Sequence, residues 1–273
     1  MKARDVFPGV FSRHAAAYRD RLVTPMATGE ARGRLLVLEL LAVRPGERVL
    51  DVACGPGTLT YPLADAAGSK GLVVGTDLAE GMLRLAREDA PASVVLARMD
   101  SERLGLREAA FDAVACGHGL QFCPDLGAAL KGMQRVLRSP GRFAASVPAG
   151  QANRQARSML DEVFAELPPP PEVPERAATL EVLSDPERVR VALLQAGFTA
   201  PEVTRVEETI RYANSDDLIA RTFGWWECAW RLESIPAEER SRLRANAAEK
   251  LRRKLGEGPV SLPGLSHVLF ARK

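Results

Sequence analysis

The segment 49–60, V-L-D-V-A-C-G-P-G-T-L-T, restricts this chain to a small set of folds. An apolar run carrying Asp51 passes through Gly55 and Gly57 and opens into Leu59-Thr60-Tyr61. Such a run reads as a buried parallel strand, and the glycines as the sharp turn after it. A helix predicted over 58–67 and stopped by Gly68 completes a strand–turn–helix unit. Glycine reaches positive φ freely and has no Cβ, so Gly55 and Gly57 are expected to let a ligand lie against the backbone. Asp51 falls at the carboxyl end of the strand, where open α/β sheets bind their ligands.

The turn is not built for phosphate. It lacks G-x-x-x-x-G-K-[ST], and the G-x-G-x-x-G spacing fails because Tyr61 and Pro62 stand where small residues are needed. An acid beside the turn repels a pyrophosphate and suits a cation, such as an α-amino group or a sulfonium.

A second apolar run, 72–76, ends in Asp77, about 20 residues past the glycine turn. An acid at that place can accept from both hydroxyls of an adenosine ribose. Together, D-x-A-C-G-P-G at 51–57 and G-T-D at 75–77 resemble the class I S-adenosylmethionine (SAM)-dependent methyltransferases. The resemblance runs from about residue 45 to 148. More loosely, the whole chain looks like the ubiquinone/menaquinone-biosynthesis type and related small-molecule methyltransferases.

The rest of the chain alternates in the same way. Further strands are predicted over 93–98, 111–116, 142–147, 203–212 and 266–271, with helices over 79–89, 126–137 and 185–197. Strands alternating with helices at this pitch give a mainly parallel sheet with helices on both faces. Seven strands match the family pattern, in which the last strand inserts antiparallel. The expected architecture is one Rossmann-like methyltransferase domain over 1–273, with a SAM-binding core at 45–148. Helical segments 10–43, 150–180 and 215–256 would cap the strand ends. The run L-P-P-P-P-E-V-P at 167–174 reads as a stiff, extended segment.

The resemblance assigns roles residue by residue. Asp51, Gly55 and Gly57 would line the methionine half of SAM, and Asp77 would hold the ribose. Leu78 and Met82 would pack on the adenine, Asp100 would accept from its amino group, and the backbone at Ser101 would serve its ring. Cys116, at the end of the fourth strand, would lie next to the departing methyl. Tyr18, in F-S-R-H-A-A-A-Y, would close over the SAM carboxylate.

Methyl transfer needs alignment and exclusion of water more than proton chemistry. A hydroxyl acceptor benefits from a general base, for which histidine is suited near neutral pH. His118, just past the fourth strand, is the first candidate and His14 the second. Trp226 and Trp230, four apart on a predicted helix, share a face and can wall an apolar acceptor pocket.

The acceptor is therefore expected to be a small, largely apolar metabolite of quinone, isoprenoid or polyketide type. The alternatives are a non-methylating SAM reaction such as cyclisation, and a non-catalytic partner protein of the same fold. Net charge is +2 from 37 basic and 35 acidic residues, and no basic stripe suggests nucleic acid. No apolar run is long enough to cross a bilayer, and no signal peptide is read at the N-terminus. The four cysteines form no C-x-x-C and the three histidines are widely spaced, so no metal site is expected. Unpaired cysteines fit the reducing cytoplasm.

Overall fold

A computed structural model describes residues 2–149, 160–169 and 172–273. Three helices come first: α1 (Ala3–Arg13), α2 (Ala15–Ala27) and α3 (Arg32–Leu41). The core then alternates β1 (Arg48–Val52), α4 (Thr60–Ala67), β2 (Leu72–Asp77), α5 (Glu80–Glu88), β3 (Val94–Arg98) and β4 (Phe111–Gly117). A single 3₁₀ turn at Leu120–Phe122 leads to α6 (Leu126–Val136) and β5 (Leu137–Pro148). After these come α7 (Pro174–Leu183), α8 (Pro186–Gln195), β6 (Thr199–Tyr212), α9 (Ser215–Phe223), α10 (Trp226–Glu233), α11 (Ala237–Leu255) and β7 (Val260–Arg272).

The seven strands form one sheet in the order β3-β2-β1-β4-β5-β7-β6. The first five are parallel, and β7 runs antiparallel to both β5 and β6. This is the expected Rossmann-like sheet with its antiparallel last strand. Strand order reverses at β1/β4, so the crevice beyond their carboxyl ends is the natural ligand site.

Local chemistry explains the helix boundaries. Asp125 caps α6 by accepting from the Ala128 N–H at 2.8 Å. Asp185 caps α8 by accepting from the Glu187 N–H at 2.9 Å, and Pro186 occupies the first turn, where a missing N–H costs nothing. Asp185→Ala is expected to cost about 1 kcal/mol, the usual value of a side-chain cap, read as a shift in the denaturant midpoint with unchanged slope.

The predicted helix over 215–256 is three helices. Trp225 is extended (φ −80°, ψ 137°) and caps α10 rather than continuing α9. Pro236, with ψ 149°, separates α10 from α11. The expected helical segment 150–180 holds α7 at its end, while 150–159 and 170–171 lie outside the described residues.

Two apolar layers sandwich the sheet. Val37 and Leu41 of α3 pack with Leu63 and Ala67 of α4 on one face. On the other, Leu130 and Met133 of α6 and Leu193 of α8 enclose Phe143, whose ring lies 4.8 Å from that of Phe198. A separate apolar cluster joins α9, α10 and α11 to Tyr212 and Val260.

Candidate cofactor and acceptor site

The turn after β1 is held in a shape few residues accept. Ala53 has φ 53° and Gly55 has φ 56°, and left-handed backbone at an alanine is uncommon outside functional or tightly held loops. Asp77, at the end of β2, fastens the turn: Oδ2 accepts from the Gly55 N–H at 2.9 Å and Oδ1 from the Ala79 N–H at 2.8 Å. Burial raises the Asp77 pKa, while these backbone donors favour its ionised form. A carboxylate has about four lone-pair positions, so acceptor capacity is left for a ligand.

The two glycines do different work. A Cβ on Gly55 would meet no atom within 4 Å, so this position opens on space a ligand can use. A Cβ on Gly57 would lie 2.6 Å from the Tyr61 ring, so the close neighbour there is that ring. Tyr61 in turn donates to the Ala86 carbonyl at 2.5 Å, tying α4 to α5. Gly57 thus admits an aromatic side chain of its own chain, and it does not line the cleft.

Asp51 is 1 % exposed. Its Oδ2 accepts from the Thr60 hydroxyl at 2.6 Å, while Oδ1 has no partner among the described residues. Burial pushes its pKa up to about 7; the Thr60 bond opposes the rise and the Asp77 charge adds to it. A buried acceptor atom left unpaired costs free energy unless a ligand satisfies it.

Beside Asp51, a recess is shared with Tyr18, Ala53, Gly117 and Arg34, whose Nη2 donates to the Tyr18 hydroxyl at 3.4 Å. Arg34 was not among the expected site residues. Its signal lay in α3, where Arg34, Val37 and Leu41 fall on one buried stripe. A charged side chain in an apolar stripe needs a polar partner.

The main cleft encloses about 800 Å³ including its mouth. Asp77, Leu78, Met82, Asp100 and Ser101 line it together, as does Tyr18. α1 roofs it with Arg4, Phe7 and Phe11, and the 3₁₀ turn adds Phe122. These rings meet edge to face: Phe7–Phe122 at 4.8 Å, Phe11–Phe122 at 5.1 Å and Phe11–Tyr18 at 5.4 Å. Arg4 pairs with Glu102 and lies 3.4 Å from the Asp100 carboxylate, closing α1 over the end of β3.

The other predicted residues lie elsewhere. Trp226 is buried behind the roof, edge-on to Phe7 at 5.0 Å, and neither it nor Trp230 lines the cleft. They are one layer too far out, because α1 takes the inner position. Cys116 is buried in the sheet and does not line the cleft; its successors Gly117, His118 and Gly119 do. His14 sits at the α1–α2 junction outside the cleft, 2.8 Å from Glu233 Oε1.

His118 does line the cleft, with φ 59° and its backbone N–H bonded to the Ser146 carbonyl at 2.8 Å. Burial, with Arg34 and Arg21 nearby, holds its pKa well below the usual imidazole value. The imidazole is therefore neutral near pH 7. No group of three or more His, Cys, Asp or Glu is placed to hold a metal among the described residues.

Known proteins share both the sequence and the fold of this chain. Residues 49–141 match the family model described as "Methyltransferase domain". Over 211 residues the chain is 34% identical to aklanonic acid methyltransferase DauC of Streptomyces sp. strain C5, covering 74% of this chain and 86% of that protein. Over 149 residues it is 38% identical to the 2-phytyl-1,4-naphtoquinone methyltransferase of Synechococcus elongatus, covering 52% of this chain. The matched segment spans 63% of that relative's length.

Among solved structures, the YcgJ protein of Bacillus subtilis superposes with a TM-score of 0.55 at 15% identity, covering 89% of this chain and 98% of that one; this likeness shows the fold. SAM also fits what the chain offers: an unpaired buried carboxylate oxygen on Asp51 beside the Arg34 guanidinium, with open space at Gly55. With the glycine turn, the two strand-end acids and this sequence match in agreement, the chain belongs to the class I SAM-dependent methyltransferases.

Proposed function

We propose that this protein moves the methyl group of SAM to a small, largely apolar acceptor with a planar ring, of quinone or polyketide type. The observation that carries the reading is the continuity of the site. Tyr18, Ala53, Gly55 and Gly117 line both the polar recess of Asp51 and Arg34 and the main cleft under Phe7, Phe11 and Phe122. SAM supplies an electrophilic methyl on a sulfonium whose departure needs no acid.

The chain's own groups supply binding and alignment. Asp51 and Arg34 offer opposite charges for the two ends of an amino acid, and Asp77 offers acceptor oxygens for a ribose. Leu78 and Met82 give apolar surface for a base, with Asp100 and Ser101 beside them. The roof of α1 excludes water, and the phenylalanine edges favour a flat aromatic partner.

The relatives named for a phytylated naphthoquinone and for aklanonic acid support an acceptor of this shape. No described helix is long and apolar enough to cross a membrane. The four cysteines are free and buried, which suits a reducing compartment, and we place the reaction in the cytoplasm.

Calorimetric titration with SAM and S-adenosylhomocysteine tests the cofactor, and release of the latter with naphthohydroquinone-type acceptors tests transfer. Binding of neither nucleoside overturns the reading. Binding without release of S-adenosylhomocysteine across such acceptors turns it toward a non-methylating reaction. Asp77→Ala is expected to weaken SAM binding by about 2 kcal/mol, the scale of hydrogen bonds to a charged acceptor. Unchanged affinity would remove Asp77 from the ribose site.

A further inference from the structure

A row of polar side chains crosses the sheet from the cleft to its edge, on the face covered by α3. It begins at His118 after β4, continues through Ser146 on β5 and Ser266 on β7, and ends at Glu208 on β6. Ser146 is fully buried and Ser266 is 1 % exposed. Their neighbours on this face, Ala144, Val268 and Val206, are apolar. Buried hydroxyls in such a layer are costly unless their hydrogen bonds are specific.

The direction of every bond in the row follows from its last member. Glu208 Oε2 accepts from the Gly33 N–H at 3.2 Å, and Oε1 accepts from the Ser266 hydroxyl at 2.9 Å. The Ser266 proton is thereby committed to Glu208, leaving Ser266 Oγ only as an acceptor. His118 Nε2, 3.4 Å from Ser266 Oγ, must then be the donor. A neutral imidazole carries one N–H, so Nδ1 is the lone-pair nitrogen and accepts from the Ser146 hydroxyl 2.8 Å away.

Packing holds the row in place. A Cβ on Gly33 would come within 2.8 Å of Ser266 Cβ, so the glycine lets α3 sit directly on Ser266.

We propose that Glu208 and Ser266 are positioning residues that fix the neutral His118 ring of the cleft wall as its Nε2–H tautomer, with Nδ1 bonded to the Ser146 hydroxyl. The proposal rests on the methyl-transfer reading. Charged groups near the ring are Arg34 of α3 and Arg21 of α2, which disfavour the imidazolium, while the Glu208 carboxylate of β6 lies beyond Ser266.

The chain has three histidines, so ¹⁵N-histidine labelling of the full chain with His118→Asn for assignment resolves the ring. The expected wild-type spectrum at pH 8 shows His118 protonated on Nε2. Ser266→Ala removes the acceptor and should shift the ring toward a tautomer mixture. Glu208→Gln has one carbonyl oxygen for two donors, and its amide can turn the Ser266 proton toward Nε2. It should populate the Nδ1–H form and move the His118 titration to lower pH.

A wild-type Nδ1–H ring, or a tautomer and titration indifferent to both variants, overturns the proposal. SAM calorimetry on the same samples separates this from failure of the methyl-transfer reading. Loss of SAM binding in the wild type would sink that reading, whereas an indifferent tautomer with intact binding sinks only the positioning role.

Discussion

Asp51→Asn is expected to weaken SAM binding by about 3 kcal/mol, near a hundredfold, and to remove the pH dependence of that binding. The two side chains have nearly the same shape, so the comparison isolates charge and hydrogen-bond sense. The Thr60 hydroxyl, 2.6 Å from Asp51 Oδ2, needs an acceptor there. An asparagine that keeps its oxygen on Thr60 must turn its NH₂ to where the unpaired Oδ1 now points. A cationic amino group then meets a donor in place of an anion.

The pH dependence has a definite sign. In the free protein the Asp51 pKa is raised by burial to about 7, above the roughly 3.9 of an unfolded aspartate. Its contribution to the stability of the free fold is complete below about pH 4 and falls away as pH rises toward 7. A cation needs the ionised form, so affinity for SAM should increase as pH rises from about 6 and level off above about 7, by at most tenfold per unit. Calorimetry at several pH values, in buffers of different ionisation enthalpy, reads both the affinity and the proton released. Equal affinity at pH 6 and 8 in the wild type, or an unweakened Asp51→Asn, would remove Asp51 from the cofactor site.

The parts of this site legible in the sequence are those carried by short segments. Asp51, Gly55 and Asp77 stand at strand ends that apolar runs mark out, and a strand end followed by a glycine turn places its residues at the ligand edge of any parallel sheet. Arg34 was legible in principle, since it interrupts the stripe of Val37 and Leu41.

The Glu208–Ser266–Ser146–His118 row was not legible, because strand order alone brings it together. β4, β5, β7 and β6 are neighbours in space but far apart in sequence, and β7 enters between β5 and β6. The tryptophans were misplaced for a related reason. Trp225 is extended and ends up stacked on Tyr18, while Trp226 packs behind Phe7, and only the docking of α1 decides which ring faces inward. The prediction over 266–271 falls short of β7 because its first half pairs with β6 from Glu207↔Leu265 to Tyr212↔Val260, beyond the apolar run that marks the central strands, while β6 exceeds its predicted 203–212 only at its start, where a register shift separates Thr199↔Arg272 from Glu202↔Phe270.

That docking of α1 yields the second large effect. Gly81, in the first turn of α5, donates its N–H to the Ser12 hydroxyl at 3.1 Å, and a Cβ at position 81 would overlap the Ser12 carbonyl. The obstacle is backbone, which cannot swing aside as the tip of a side chain can. Gly81→Ala must therefore push α1 off α5, at about 3 kcal/mol on the scale of core overpacking.

The helix has other ties: Arg4 to Glu102 and Asp100, and the Ala3 N–H to Glu175 Oε2 at 3.2 Å. Displacement should therefore be felt first at Phe11 and Ser12, nearest Gly81, and the roof should loosen from that end. Faster hydrogen exchange at the carboxyl end of α1 and weaker retention of S-adenosylhomocysteine are the expected results.

Gly132→Ala is the matched control. Gly132 also lies in a helix, α6, but a Cβ there finds its nearest neighbour, the Ser101 carbonyl, at an ordinary 3.6 Å. The same substitution should there stabilise the fold by about 0.5–1 kcal/mol, through the lower backbone entropy of the unfolded chain. Opposite signs at 81 and 132 would show that close approach, and not helix propensity, keeps glycine at Gly81. A Gly81→Ala protein with unchanged exchange in α1 would mean that the roof does not rest on α5.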